Sequence, residues 1–263
     1  MAVDSYTFNN AWTNERARLD ALEALTDPGS IRHLKELGLG PGWSCLEVGA
    51  GGGSITRWLA AQVGDTGRVV ATDLNTKHLA PLANSIIEVR QHNIVEDELE
   101  EQAFDLAFAR LVLEHIPERD AVLNKLVRAL KPGGWLLLES TDSMSVLPVS
   151  DFGHDLHAKS QSIRLAEFRR GGLDTFFGRK MPAAMRAAGL VDIGNEGRVW
   201  VMDAGSPGAE WLRLSMDQVR ARLIGPDKLT EEELNQELEN LTNPAFQGLS
   251  PTVMAAWGRL PLS

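Results

Sequence analysis

Cysteine is nearly missing from this sequence of 263 residues, which has only Cys45. One thiol cannot build a disulfide framework within a chain. Its place inside an apolar run makes it a packed core side chain rather than a nucleophile. Apolar stretches near the ~18 residues needed to span a bilayer are also missing, and Asp4 stands where a leader would need basic residues before an apolar segment. A soluble, cytoplasmic protein with no membrane partner is expected. Positive charge is scarce as well: 26 Lys and Arg against 36 Asp and Glu leave a net charge of −10. Such a surface repels nucleic acid rather than collecting it, so no nucleic-acid partner is expected. There is no internal repeat or low-complexity tract. What remains is a chain long enough to bury a full core, as one large domain or a core with a cap.

The segment Cys45-Leu46-Glu47-Val48-Gly49-Ala50-Gly51-Gly52-Gly53-Ser54 reads as a buried strand opening into a glycine loop. Ile55, Trp58, Leu59 and Val63 follow at helical spacing, so the loop's N–H groups sit at a helix start. Arg68-Val69-Val70-Ala71-Thr72-Asp73 is a second apolar strand. It ends in an acid about 20 residues past the loop, where a ribose diol needs a carboxylate acceptor. Ser54 fits a dinucleotide fingerprint poorly, and Glu47 places an acid beside the ligand, where a pyrophosphate would be repelled. Unit charges about 4 Å apart interact by about 1 kcal/mol in water and about 4 kcal/mol at an effective dielectric of 20, enough to choose between ligands. A cationic, phosphate-free cofactor is favoured, and S-adenosylmethionine fits.

Here the chain resembles the class I S-adenosylmethionine-dependent methyltransferases, whose first motif E/D-x-G-x-G-x-G is matched by Glu47 to Gly53. The likeness covers roughly residues 30–142. It continues through Asp73, Asn93, the strand Phe104 to Leu111, Leu113-Glu114-His115-Ile116-Pro117 and Lys131-Pro132-Gly133-Gly134-Trp135. It implies an α/β fold, a Rossmann-like, mostly parallel seven-stranded sheet with helices on both faces and a helical cap. The resemblance further implies cofactor contacts from Glu47, Gly49, Ala50, Gly51 and Gly53, from Asp73 and Leu74 at the ribose, from Asn93 and Ile94 at the adenine, and from Arg110 and Leu111. Asn93 departs from the family's usual Asp. Its carbonyl can still accept from an adenine amine but adds no charge.

Strand and helix signals alternate from residue 44 to 140, the pattern of a parallel sheet covered on both faces. One methyltransferase domain is expected over 1–263, with a core at about 28–142 and 179–263, N-terminal helices at 9–26 and cap insertions at about 143–178 and 207–245. Asp27 and Pro28 read as the N-cap and first position of a second leading helix. Thr230-Glu231-Glu232-Glu233 reads as a capping box. The inserted segments carry several aromatics, which suits an apolar small molecule, although these rings could equally serve only to pack the cap. Both insertions are expected to face the acceptor and to order around it.

His115, just past the fourth strand, is the candidate general base, since an unperturbed histidine pKa near 6.5 suits neutral pH. The competing reading gives it a helix-capping or cofactor contact. Glu139 and Asp142, at the end of the fifth strand, could orient an acceptor hydroxyl or amine, or serve as turn acceptors. Arg16 and Arg18 read more readily as solvated than as functional. Asp151, His154, Asp155 and His157 resemble half a metal site with no third cluster, so no metal is expected. The function expected is methyl transfer to a small-molecule acceptor, favouring the hydroxyl of a natural-product-like compound. The alternatives are a cyclisation or elimination on the same fold, a nicotinamide oxidoreductase disfavoured by Glu47 and Ser54, and a non-catalytic binding protein. The Asn/Asp-Pro-Pro-Tyr/Phe/Trp signature of base-amine methylation is missing after the fourth strand. A homodimer stays open.

Overall fold

A computed structural model describes residues 12–262. Residues 9–11 of the expected leading helices lie outside the described residues. In chain order the elements are α1 (Glu15–Glu36), β1 (Ser44–Val48), α2 (Ser54–Val63), β2 (Arg68–Asp73), β3 (Ile87–Gln91), β4 (Phe104–Arg110), α3 (Arg119–Ala129), β5 (Leu130–Asp142) and α4 (His154–Arg170). There follow α5 (Met181–Ala187), β6 (Val191–Arg198), β7 (Val201–Asp203), α6 (Pro207–Gln218), α7 (Arg220–Leu223), α8 (Glu231–Asn240), β8 (Gln247–Leu249) and β9 (Thr252–Arg259).

Seven strands form one sheet in the order β3-β2-β1-β4-β5-β9-β6, in which β9 alone runs against its neighbours. The α/β reading holds. Side chains alternate between the two faces of each central strand, and both faces are buried, which is why these strands read as continuous apolar runs. Leu46, Val48, Val70, Ala107, Leu136 and Leu138 pack on one side with Leu123 and Leu126 of α3 and Met181 and Met185 of α5. Cys45, Val69, Leu106, Phe108 and Leu137 face the other way, toward Leu34 of α1 and Ile55, Leu59 and Val63 of α2.

A third core belongs to the cap. Met202, Leu212, Met216, Leu223, Leu234 and Phe246 are buried together, and Leu156, Ile163 and Phe168 from α4 pack against them. The two insertions therefore share one interior. They are also tied by a bridge between Pro148 and Gly248, while the β7–β8 pair closes the base of the second insertion. The capping box at Thr230 is present, with Thr230 and Glu233 each bonding the other's backbone N–H. The strand signal over 191–203 resolves into two pieces, β6 in the main sheet and β7 in the cap.

The expected break between two leading helices does not occur. α1 runs unbroken through Pro28, and the Asp27 carboxylate accepts from Arg110 Nη1 at 2.8 Å and Ser54 Oγ at 3.0 Å instead of capping anything. Tertiary contacts outweigh the proline's missing N–H, because buried side chains on both sides of it, from Ala21 to Leu34, hold the helix to the sheet. Among the described residues no helix is long and apolar enough to cross a membrane.

Candidate functional site

The carboxyl ends of β1, β2, β3, β4 and β5 open into one cavity, roofed by α1 and the cap. Ligands of open α/β sheets gather at this edge. Gly49 and Gly51 line its floor. Gly49 has φ +69°, and a Cβ there would lie 2.3 Å from Val112 Cγ2, so only glycine lets the loop pass so close to the end of β4. Asp73 faces the cavity from the tip of β2, where its carboxylate accepts from Gly51 N at 2.9 Å and Asn75 N at 3.0 Å. Burial raises its pKa, and those backbone donors oppose the shift. Leu74, Asn93 and Ile94 continue the wall. The Asn93 side-chain carbonyl accepts from Val95 N at 3.2 Å, a turn contact. Arg110 and Leu111 line the cavity from the end of β4. Leu111 holds φ +56°, a left-handed conformation that a branched side chain rarely adopts and that is found disproportionately at ligand sites.

The structure moves other expected residues off the cavity wall. Glu47 is buried beneath the loop, where Thr56 Oγ1 donates to it at 2.5 Å. Burial pushes its carboxyl up to about 7, so its charge acts on the site from below and depends on pH. Ala50 is buried with its N–H on Thr72 O, and Gly53 precedes the first turn of α2 with φ +78°. Glu139 turns toward α1, accepting from Ser30 Oγ at 2.5 Å with His33 Nδ1 at 3.5 Å, and does not line the cavity. Asp142 is held by Arg179, which keeps its carboxyl below the usual range, and it too is off the wall.

His115 does line the cavity, but in a different state from the one expected. It ends a single 3-10 turn, Leu113–His115, with Nε2 3.9 Å from Glu114 Oε1. Burial, helped by the Arg18 charge, pushes its imidazole down to about 3, so it is neutral at any physiological pH. Arg18 is itself no solvated side chain: it is 4% exposed, lines the cavity and pairs with Glu15 at 2.6 Å. Arg16 crosses the loop to Gly52 O at 3.2 Å. Sequence reasoning missed Glu114, a buried carboxylate accepting from Thr141 N at 2.6 Å, and it missed the cap residues Arg164, Trp211 and Ser215. The available signal was a polar stripe, His157, Ser160, Gln161 and Arg164, at helical spacing on α4. A stripe of that kind reads equally well as a solvated face. Among the described residues no group of three or more metal-ligating side chains comes together, and His157 is buried against Glu237 instead.

The glycine floor, the carboxylate at the tip of β2 and the wall beyond it form a cavity at the carboxyl edge of a Rossmann-like sheet. Residues 46–138 match the family described as a methyltransferase domain. Over that third of its length the chain is similar to methyltransferase domains. Methyltransferase str2 of Strobilurus tenacellus is 34% identical over 131 residues, 49% of this chain and 46% of its own. The ubiquinone biosynthesis O-methyltransferase of Hydrogenovibrio crunogenus is 29% identical over 135 residues, 50% and 56% of the two chains. The chain thus spans about half the length of the curated relatives it matches. Among solved structures, phosphoethanolamine N-methyltransferase 2 of Haemonchus contortus, in complex with phosphomonomethylethanolamine and S-adenosylhomocysteine, superposes with TM-score 0.57 at 17% identity over 89% of this chain and 52% of that one. The [4+2]-cyclase SpnF superposes with TM-score 0.53 at 18% identity, over 90% and 82%. At such identities these two share the fold alone.

Proposed function

We propose that the protein transfers a methyl group from S-adenosylmethionine to a small-molecule acceptor, with a hydroxyl oxygen as the favoured atom. The observation that carries this reading is the continuity of the cavity: the glycine loop and Asp73 stand at one end, and the apolar cap side chains Leu165, Phe168, Leu173 and Leu212 stand at the other. When bound, the cofactor supplies a methyl group on a sulfonium, already activated for in-line displacement. The chain's own residues then have to hold two partners in line and dry, which in well-oriented pairs gains about 7–11 kcal/mol. Asp73 accepts from the ribose hydroxyls, Asn93 and Ile94 flank the adenine, and Gly49 and Gly51 let the backbone come close. The cap and α1 exclude water. His115 accepts the hydrogen bond of an acceptor hydroxyl, and its neutral imidazole favours orientation and partial proton withdrawal over full charge separation.

Calorimetry with S-adenosylmethionine, S-adenosylhomocysteine and NADH tests the cofactor reading, and mass spectrometry of hydroxylated aromatic compounds incubated with S-adenosylmethionine tests transfer. The expected result is binding of both sulfur nucleosides, none of NADH, and products heavier by one methylene. Asp73→Ala should weaken the cofactor roughly ten- to a hundredfold. NADH binding with no heat from either sulfur nucleoside would overturn the reading. Cofactor binding with rearranged, unmethylated products would favour a cyclase.

A further inference from the structure

Three arginines line the cavity, and they differ in how their charge is met. Arg18 pairs with Glu15 at 2.6 Å and Arg110 with Asp27 at 2.8 Å. Arg164, on α4, is 5% exposed, and among the described residues it has no carboxylate within ion-pair distance. Its Nη1 donates to the Met216 sulfur at 3.4 Å, a weak acceptor. The acid whose field it feels, Glu237, is engaged by His157 Nδ1 at 2.6 Å. Burial lowers the guanidinium to about 10, which still leaves it cationic at neutral pH. A cation facing a cavity in this way is costly unless something else pairs with it.

Met216 brings α6 against Arg164, and the preceding turn of α6 carries two more donors into the same cavity. Ser215 is 4% exposed, and among the described residues neither its Oγ nor Trp211 Nε1 has a hydrogen-bond partner. Trp211 and Ser215 are four residues apart, so they share one face of the helix. One guanidinium with two neutral donors matches a single negative charge. It does not match a phosphate dianion, whose second charge would go unmet beside buried Glu237 and Glu114.

We propose that the acceptor carries a carboxylate, held by Arg164 with Ser215 Oγ and Trp211 Nε1 as additional donors, so that the cap end of the cavity is a monoanion subsite. The proposal rests on the methyltransferase reading for its name of acceptor, but not for its chemistry. Anchored there, the acceptor's remaining length points from the cap toward the glycine loop, which fixes which of its hydroxyls meets the methyl group.

The test is binding of matched aryl carboxylates, their methyl esters and the corresponding aryl phosphates to protein saturated with S-adenosylhomocysteine, read by ligand-observed NMR and calorimetry. The wild type should prefer carboxylate over ester by about tenfold or more. Arg164→Met should erase that preference without changing the dissociation constant of S-adenosylhomocysteine, Arg164→Lys should restore part of it, and Ser215→Ala should lose a smaller share. Equal binding of carboxylate and ester, no detectable carboxylate binding, or preference for the phosphate would each overturn the proposal. If Arg164→Met does not fold, the wild-type ratio and Ser215→Ala still decide. Should S-adenosylhomocysteine fail to bind, the same ratio measured on the bare protein separates loss of the methyltransferase reading from loss of the subsite.

Discussion

His115 resists a second proton, because taking one up would bury a cation beside Arg18. The sign follows directly: the folded pKa, about 3, lies below the ordinary histidine value, so the neutral form persists as pH falls from 7 through 5 and is lost only near the folded value. At saturating cofactor, His115 should therefore add no limb to kcat where an ordinary histidine would titrate, and any change near pH 7 that comes from Glu47 should persist in His115→Ala. His115→Ala should lower kcat by about 10–100-fold, the low end for a positioned base because depressed basicity weakens proton withdrawal, and should leave cofactor affinity intact. A limb near pH 6.5 that vanishes in the variant would instead mark a fully basic histidine, and an unchanged kcat would remove His115 from the chemistry. Much of this site was legible residue by residue. Asp73 could be placed because a strand must end where its apolar run ends, and Gly49 because a strand-to-helix turn left little choice. Burial was not legible in the same way. Nothing local distinguishes Arg18, which pairs with Glu15 inside the protein, from Arg16, which lies partly in solvent.

At the scale of elements, α1 joins the sheet to the cap. Asp27 reaches Arg110 from its middle, and Glu15 near its start accepts from Gln218 Nε2 of α6 at 3.0 Å. Pro28 directly follows Asp27 and withholds one helical hydrogen bond. Pro28→Ala should return that bond and, after the added freedom of the unfolded chain is set against it, raise stability by about 1–2 kcal/mol. The midpoint of urea unfolding reads the change, and a fall in that midpoint would mean the proline ring is packed where it is needed. The sequence misled here for a definite reason. An Asp-Pro pair is a strong local start signal, and its override comes from Arg110, 83 residues away. Glu139 was misplaced by the same blindness to orientation: being at the right end of β5 does not say which face a side chain takes, and the alternation of the strand sends it to α1.

Among the described residues, the two large interiors and the small Ala50–Ala71–Leu79 cluster lie against the main sheet, and a separate interior lies inside the cap. A cap with its own buried core opens as a body rather than ordering piecemeal around a ligand. Hydrogen exchange should accordingly show α4, α6 and α8 sharing one opening free energy below that of β1 and β4, with all three rising together on addition of S-adenosylhomocysteine and acceptor. Independent exchange of the two insertions would contradict this. The fold class and the sheet were readable from periodicity because local patterns repeat there. The unity of the cap was not, since it depends on side chains from two stretches separated by the sixth strand.

That unity limits how acceptor preference can be re-engineered by swapping segments between relatives. A chimera that transplants residues 143–178 alone would strip Leu156, Ile163 and Phe168 from beneath Met202, Leu212 and Phe246 and fit a foreign surface in their place. Each graft exposes one half of an interior matched only to its original counterpart. The two stretches therefore have to be exchanged as a pair, or new specificity reached by point changes at a cavity residue such as Ser215, whereas a change at Arg164 also alters its contact with Met216 across the seam.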